Sequence, residues 1–177
     1  MHIRIAEVKT MLWAKVLFFP DPIQERILLL CQETYLHEMR KSMKSLLEGK
    51  DLSESKMSNL LTRGSKHQIF FDANRRAEKL RSNEKTEIEM NQEYCRWSDN
   101  FKLSEDVLTL ELGSDFGKPN ISLACIVRPF QKTMIEGCRI HSCTVKYVKN
   151  HWYAYLPIMP VDVNESLPQQ DIVALHF

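Results

Sequence analysis

The sequence predicts an α+β fold: one early strand, an all-helical insertion, then a run of antiparallel strands that gather into a sheet or small barrel. Three observations predict it. Trp13–Phe19 reads as a strand, apolar residues recur at helical spacing from there to about Leu80, and the spacing changes to two residues after residue 93. A strand stop and a helix start lie back to back at Pro20-Asp21-Pro22-Ile23-Gln24. Finally, Thr144–Ile158 reads as a hairpin that is apolar on both faces, which cannot stand alone in water and therefore belongs centrally in a sheet.

Taken in order, residues 1–11 are weakly patterned and Trp13–Phe19 is the first strand. At the boundary, Asp21 can accept from the free N–H groups of a first helical turn, Pro22 sits where its missing N–H does no harm, and Gln24 can reach back as in a capping box. The helix should run to about Leu47, with Ile23, Ile27, Leu30, Cys31, Thr34, Met39, Met43 and Leu46 as its apolar stripe, and Gly49 as a left-handed stop. A second helical piece is expected near Ser53–Thr62. Ser65-Lys66-His67-Gln68 is a further capping-box pattern opening a third helix, with Ile69, Phe70, Ala73, Ala77 and Leu80 inward and Lys66, Arg75, Arg76, Lys79 and Arg81 gathered on the other side. A solvated helix face and a phosphate-binding face both account for that cluster, which Glu78 and Glu84 interrupt.

Residues 82–93 are polar and acidic and read as a linker. Strands follow at Tyr94–Trp97, Phe101–Leu103, Val107–Leu112, Ile121–Val127 and Ile140–Val148, with a short amphipathic piece at Phe130–Glu136 ending at Gly137. In the closing hairpin, Lys149-Asn150-His151 is the turn. On its second arm Trp152, Ala154 and Leu156 point one way, Tyr153 and Tyr155 the other. Two readings of this hairpin stand: a structural core element, or a phosphate-and-stacking surface in which Lys146, Lys149 and His151 act beside Trp152 and Tyr153.

Composition narrows the function classes. The chain of 177 residues has room for one domain or two small lobes sharing a core, and 44% hydrophobic with 27% charged residues is the composition of a soluble globular protein. Lys and Arg number 24 against 23 Asp and Glu, so any pull toward nucleic acid must be local. Five irregularly spaced cysteines with no signal peptide before them fit a reducing cytoplasm rather than a disulfide framework. The longest apolar run, Ile27–Cys31, is far below the roughly 20 residues of a membrane helix, so no membrane is expected. Cys138, His141 and Cys143 invite a zinc reading, but Cys138 and His141 face opposite sides of a strand and no second pair exists; no metal and no cofactor are expected. Neither a phosphate-binding glycine loop, a G-x-S-x-G elbow nor an H-E-x-x-H pair occurs, so no enzyme is read from motifs.

Several segments together resemble the N-terminal half of the TnpB family, transposon-encoded RNA-guided nucleases often called transposase OrfB. Lys15–Gln24 is similar to the family's opening strand and its P-x-x-x-Q-like helix start, and Leu61–Arg75 to its L-P-S-x-x-x-Q-x-x-x-x-D-A helix. Phe101–Leu110 is similar to a strand pair of its wedge domain. Gly137–Tyr155 follows its hairpin ending in K-x-G-K-W-Y, with Asn150 and His151 in place of the Gly-Lys. The resemblance implies an antiparallel wedge-like β-barrel (residues 1–20 and 94–160) with a helical recognition-like lobe (21–93) inserted after its first strand, and 161–177 as a linker into a RuvC-like strand. It also implies a grip on structured guide-type RNA, with DNA as a further partner, through backbone and shape contacts. Lys15, Arg75, Arg76, Lys79, Lys146, Lys149 and Trp152 would carry that role.

The family's first RuvC strand holds a metal-binding Asp, and the best register puts His176 there. Without the acidic cluster no two-metal hydrolysis is expected. The reading is thus a non-catalytic nucleic-acid-binding part of a TnpB-like protein lacking the nuclease domain, with a repurposed regulator or inhibitor acting by protein contact as the alternative.

Overall fold

A computed structural model describes residues 12–82 and 93–160. The linker expected at 82–93, apart from its two end residues, and the tail at 161–177 with His176 lie outside the described residues. Strand β1 spans Leu12–Phe19 and runs straight into helix α1, Pro22–Leu47. The predicted capping box closes that junction: Asp21 Oδ1 accepts from the N–H groups of Ile23 and Gln24, each at 2.8 Å, and the Asp21 N–H donates to Gln24 Oε1 at 3.0 Å. Such a cap contributes about 1 kcal/mol and fixes where the chain leaves the sheet.

After α1, the helix expected near Ser53–Thr62 is only a single 3-10 turn at Glu54–Lys56. Helix α2, Arg63–Arg81, then starts one turn earlier than predicted. Its N-cap is Thr62, whose Oγ1 accepts from the Ser65 N–H at 3.1 Å, and Asn100 Oδ1 takes the Gly64 N–H at 3.1 Å. Position 64 must be glycine because a Cβ there would overlap the Ser98 carbonyl and the Asn100 side chain.

Strands β2 (Tyr94–Ser98), β3 (Phe101–Ser104), β4 (Val107–Glu111) and β5 (Asn120–Ile126) follow. Helix α3 (Pro129–Ile135), β6 (Cys138–Arg139), β7 (Ser142–Val148) and β8 (His151–Pro160) complete the described chain. They form one antiparallel sheet of eight strands in the order β2-β7-β8-β1-β5-β4-β3, with β6 also on β8. The early strand returns to the later sheet as expected: β1 pairs with β8 along Leu12–Phe18 and with β5 along Leu17–Phe19. The strand predicted as Ile140–Val148 is broken. From Thr144↔Tyr155 to Arg139↔Met159 the β7–β6 side steps back five residues while β8 advances four, so one extra residue bulges out around Ile140–His141.

The barrel expected from the resemblance does not close. The sheet's two ends, β2 and β3, are joined by Asp99 and Asn100 alone, with Asp99 at φ 59°, yet they make no ladder with each other. Two residues between the first and last strand force the sheet to curl until its edges meet at that corner. The seam is bridged by a side chain: buried Trp97 donates from Nε1 to the Glu111 carbonyl at 2.8 Å, and Asn100 O accepts the Glu111 N–H at 3.0 Å.

The helices and the sheet share one core. It runs from Leu28, Tyr35, Met39 and Ile69 to Val16, Trp97, Leu123, Val145 and Leu156. The stripe predicted for α1 needs correction, since Ile23 and Leu30 are exposed and Leu28, Tyr35 and Leu36 are buried instead. Gln32 and Glu38 share the buried face because each has a partner across the fold. Gln32 Nε2 donates to the Val145 carbonyl at 3.3 Å, and Glu38 Oε1 accepts the Ser58 N–H at 3.1 Å. No helix among the described residues is long and apolar enough to cross a membrane.

Candidate functional site

The register of β2, β7, β8 and β1 decides which side chains share a face. Lys146 lies between Tyr94 and Tyr153, and Tyr155 between Thr144 and Lys15, so Tyr94, Arg96, Lys146, Tyr153, Tyr155 and Lys15 all project from the same side. The opposite side carries Cys95, Trp97, Val145, Trp152, Ala154, Leu156 and Val16, all buried. Alternation thus places Ala14, Val16, Val145, Trp152, Ala154 and Leu156 inward and leaves a row of cations and tyrosines outward, together with Trp13, Leu17 and Phe19 of β1.

That row is continuous. Lys15 Nζ stands 4.0 Å from the Tyr153 ring centroid and 5.7 Å from that of Tyr155. On the far side of Tyr155, Lys146 Nζ is 5.3 Å from the same ring and 5.9 Å from the Tyr94 ring. Tyr94 in turn carries Arg96 at 5.7 Å and Arg76 at 6.0 Å, and its hydroxyl accepts from Arg76 Nη2 at 3.0 Å. Each contact is worth about 0.5–1 kcal/mol at an exposed site, enough to hold the long side chains flat on the rings.

One carboxylate organises the helical end of the row. Asp72, buried on α2, accepts from Arg96 Nη1 at 3.0 Å and from the Tyr35 hydroxyl at 3.2 Å, with the Tyr94 hydroxyl at 3.5 Å and Arg75 Nη2 at 3.6 Å. Burial, and then the Asp72 charge, push the Tyr35 and Tyr94 hydroxyls above the ordinary tyrosine range, so both remain donors. Arg96 is further fixed by its Nε donating to Thr144 Oγ1 at 3.1 Å.

Of the residues predicted for this role, Lys15, Lys146 and Arg76 are brought together, and Arg75 joins them through Asp72. Lys79 is exposed three residues beyond Arg76 on α2. Lys149 sits at the hairpin tip, a two-residue turn in which Lys149 and Asn150 both have positive φ (49° and 64°). His151 belongs to β8 rather than to the turn, paired with Val148.

Trp152 is corrected. It is 3% exposed, packs on Phe18 and Tyr147, and donates from Nε1 to Glu25 Oε1 at 3.0 Å, so it is a core residue tying α1 to the sheet and offers no face for stacking. Sequence reasoning missed Tyr94, Arg96 and Tyr155 as members of the row. The alternation that put Tyr153 and Tyr155 opposite Trp152 was the signal for the latter; Arg96 could not be found without the register of β2. Among the described residues no group of three or more His, Cys, Asp or Glu side chains converges as a metal site. No protein-family model matches the chain, and no curated protein matches it either.

Proposed function

We propose that this chain binds nucleic acid, structured RNA foremost, along the row Lys15–Tyr155–Lys146–Tyr94–Arg76, without catalysing a reaction on it. The supporting observation is the row itself: five cations, Lys15, Lys146, Arg96, Arg76 and Arg75, set around the part-exposed rings of Tyr153 and Tyr155 and the buried ring of Tyr94, with Asp72 as the carboxylate that pairs with Arg75 and Arg96 among the described residues. Ammonium and guanidinium groups gathered in this way can meet the phosphates of a strand, while the tyrosine rings, covered by those cations or buried, hold them in place rather than offer open stacking faces. The chain's net charge of +1 makes such a concentration of positive charge a local feature rather than a compositional one. This reading is in line with the resemblance to the N-terminal part of TnpB-type proteins, under which the curled, unclosed sheet would stand where the wedge barrel is expected and α1 and α2 where the recognition lobe is.

A filter-binding titration with a hairpin RNA carrying a single-stranded tail, repeated over a range of salt, tests it. Affinity should fall steeply with salt, and Arg75→Ala/Arg76→Ala should weaken binding at every salt concentration. Absence of binding at low salt would refute the reading. A second reading, a regulator or inhibitor acting on a protein partner, is favoured by Ile23, Leu29 and Leu30, which α1 leaves exposed.

A further inference from the structure

Strands β1 and β5 part company at one point. Their ladder covers Leu17↔Ile126 to Phe19↔Ala124, so on that side the first half of β1 has no strand beside it. The chain fills the freed edge with α3 instead. Gln131, 6% exposed, donates from Nε2 to the Lys15 carbonyl at 2.6 Å, and its Oε1 accepts the Arg128 N–H at 2.9 Å. Its Nε2 thus ties the helix to the strand while its Oε1 caps the first turn of α3.

Between strand and helix lies a pocket of about 430 Å³, within the roughly 300–1,000 Å³ of small-molecule sites. Trp13 and Lys15 enter it from β1, Phe130 and Met134 from α3, Arg128 from the residue before α3 and Tyr153 from β8. Two of these rings are held in water: Trp13 is 52% and Phe130 58% exposed, whereas the other two tryptophans, Trp97 and Trp152, are buried at 1% and 3%. No carboxylate among the described residues lines the pocket. Lys15 and Tyr153 belong both to the pocket and to the cation–tyrosine row, so the two surfaces are continuous.

We propose that the pocket receives one unpaired nucleobase of the bound strand, stacked on Trp13 and Phe130, with its flanking phosphates on Lys15 and Arg128. The inference rests on the nucleic-acid reading above and adds a subsite to it. Large exposed rings flanked by cations fit a planar, uncharged base joined to an anionic backbone, and fit an acidic peptide less well, since such a chain brings no π-face of its own to each ring. Stacking on Trp13 and Phe130 would use the π-face that every base has, and so would carry no base identity of its own. The subsite distinguishes a base from no base and is tolerant of which base it is.

The test uses the full chain and a hairpin RNA whose single-stranded tail carries one abasic position, moved stepwise along the tail. At one position the abasic strand should bind about 10-fold more weakly than the intact strand, and Trp13 emission should lose its quenching. In Trp13→Ala and Phe130→Ala, both surface changes, intact and abasic strands should bind alike. If every abasic strand binds the native chain as tightly as the intact one while Lys146→Gln still weakens binding, the pocket proposal is overturned and the row survives. If no strand binds at low salt, both readings fall together.

Discussion

Replacing Lys15 and Lys146 together by glutamine tests the proposed interface at its centre. The two ammonium groups sit on either side of the Tyr155 ring, 5.7 and 5.3 Å from its centroid, so a strand following the row would meet both. For a single strand, each phosphate neutralised contributes about −0.7 to the slope of log K against log salt. Losing two contacts should therefore make the slope shallower by about 1.4. Extrapolated from a 1 M reference, the same term is worth roughly 5-fold in affinity per contact near 0.1 M salt, or roughly 25-fold for the pair. Stability should fall by at most about 2–4 kcal/mol, because the two lysines make four cation–π contacts worth about 0.5–1 kcal/mol each. The assay is filter binding between about 50 and 200 mM salt, with a urea melt as the control for folding. A slope identical to that of the native chain, in a variant that still folds, would refute the assignment of these two lysines to phosphate contacts.

Three further outcomes follow from the same geometry. Asp72→Asn should cost roughly 2–4 kcal/mol in a urea melt, because it leaves Arg96, which is only 23% exposed at its side chain, without its charged partner and alters the acceptor of the Tyr35 hydroxyl. Trp152→Phe should lower stability by about 1–3 kcal/mol through loss of the Glu25 hydrogen bond and core volume, and leave RNA affinity unchanged; a large affinity loss in a folded variant would restore Trp152 to the interface. Burial raises the Cys31 thiol to about 12 and the Cys125 thiol to about 11 from an ordinary value of 9.0. Above pH 9 the unfolded chain therefore releases thiol protons that the folded chain retains, and stability should fall between pH 9 and about 11–12 by up to about 1.4 kcal/mol per pH unit for each such thiol. Urea melts at rising pH check this, and Cys31→Ala should flatten the decline.

The parts of this fold that were legible in the sequence are those decided within one turn or one strand. Asp21, Pro22 and Gln24 announce α1 because their partners are two or three residues away, and Trp152, Ala154 and Leu156 fall on one face because a strand's period is two, although the pattern alone does not say that this face is the inner one, and the resemblance assigns Trp152 to the binding surface. What was illegible depended on distant partners. At the start of α2 Asn100 captures the Gly64 N–H beside the local Thr62 cap, and the buried face of α1 rotates to admit Gln32 and Glu38, where Val145 takes the Gln32 amide N–H, leaving its buried Oε1 without a partner, and Glu38 accepts the Ser58 N–H. The open barrel likewise turns on Trp97 bridging to Glu111, a contact no local pattern encodes. The cationic row has the same character: the lysines on β1 and β7 can be counted in the sequence, but only the register lays them on either side of Tyr155.

Asp72 sets the terms on which this row can act. A carboxylate beside Arg75 and Arg96 weakens the positive field that a phosphate meets, so on charge alone the position would be better neutral. Its three hydrogen-bonding neighbours on other elements, Tyr35 from α1 and Tyr94 and Arg96 from β2, show what it supplies in exchange: it fixes the basic face of α2 against the edge of the sheet. Arg96 is anchored there and at Thr144, Arg76 at the Tyr94 hydroxyl, and Lys15 and Lys146 lie on tyrosine rings. Free lysines and arginines would each lose about 0.5–1.5 kcal/mol of rotamer freedom on meeting a strand, whereas cations already laid on rings or held by hydrogen bonds lose less. The row gives up part of its charge for a fixed spacing, and that spacing is what a polyanion with regularly placed phosphates would recognise.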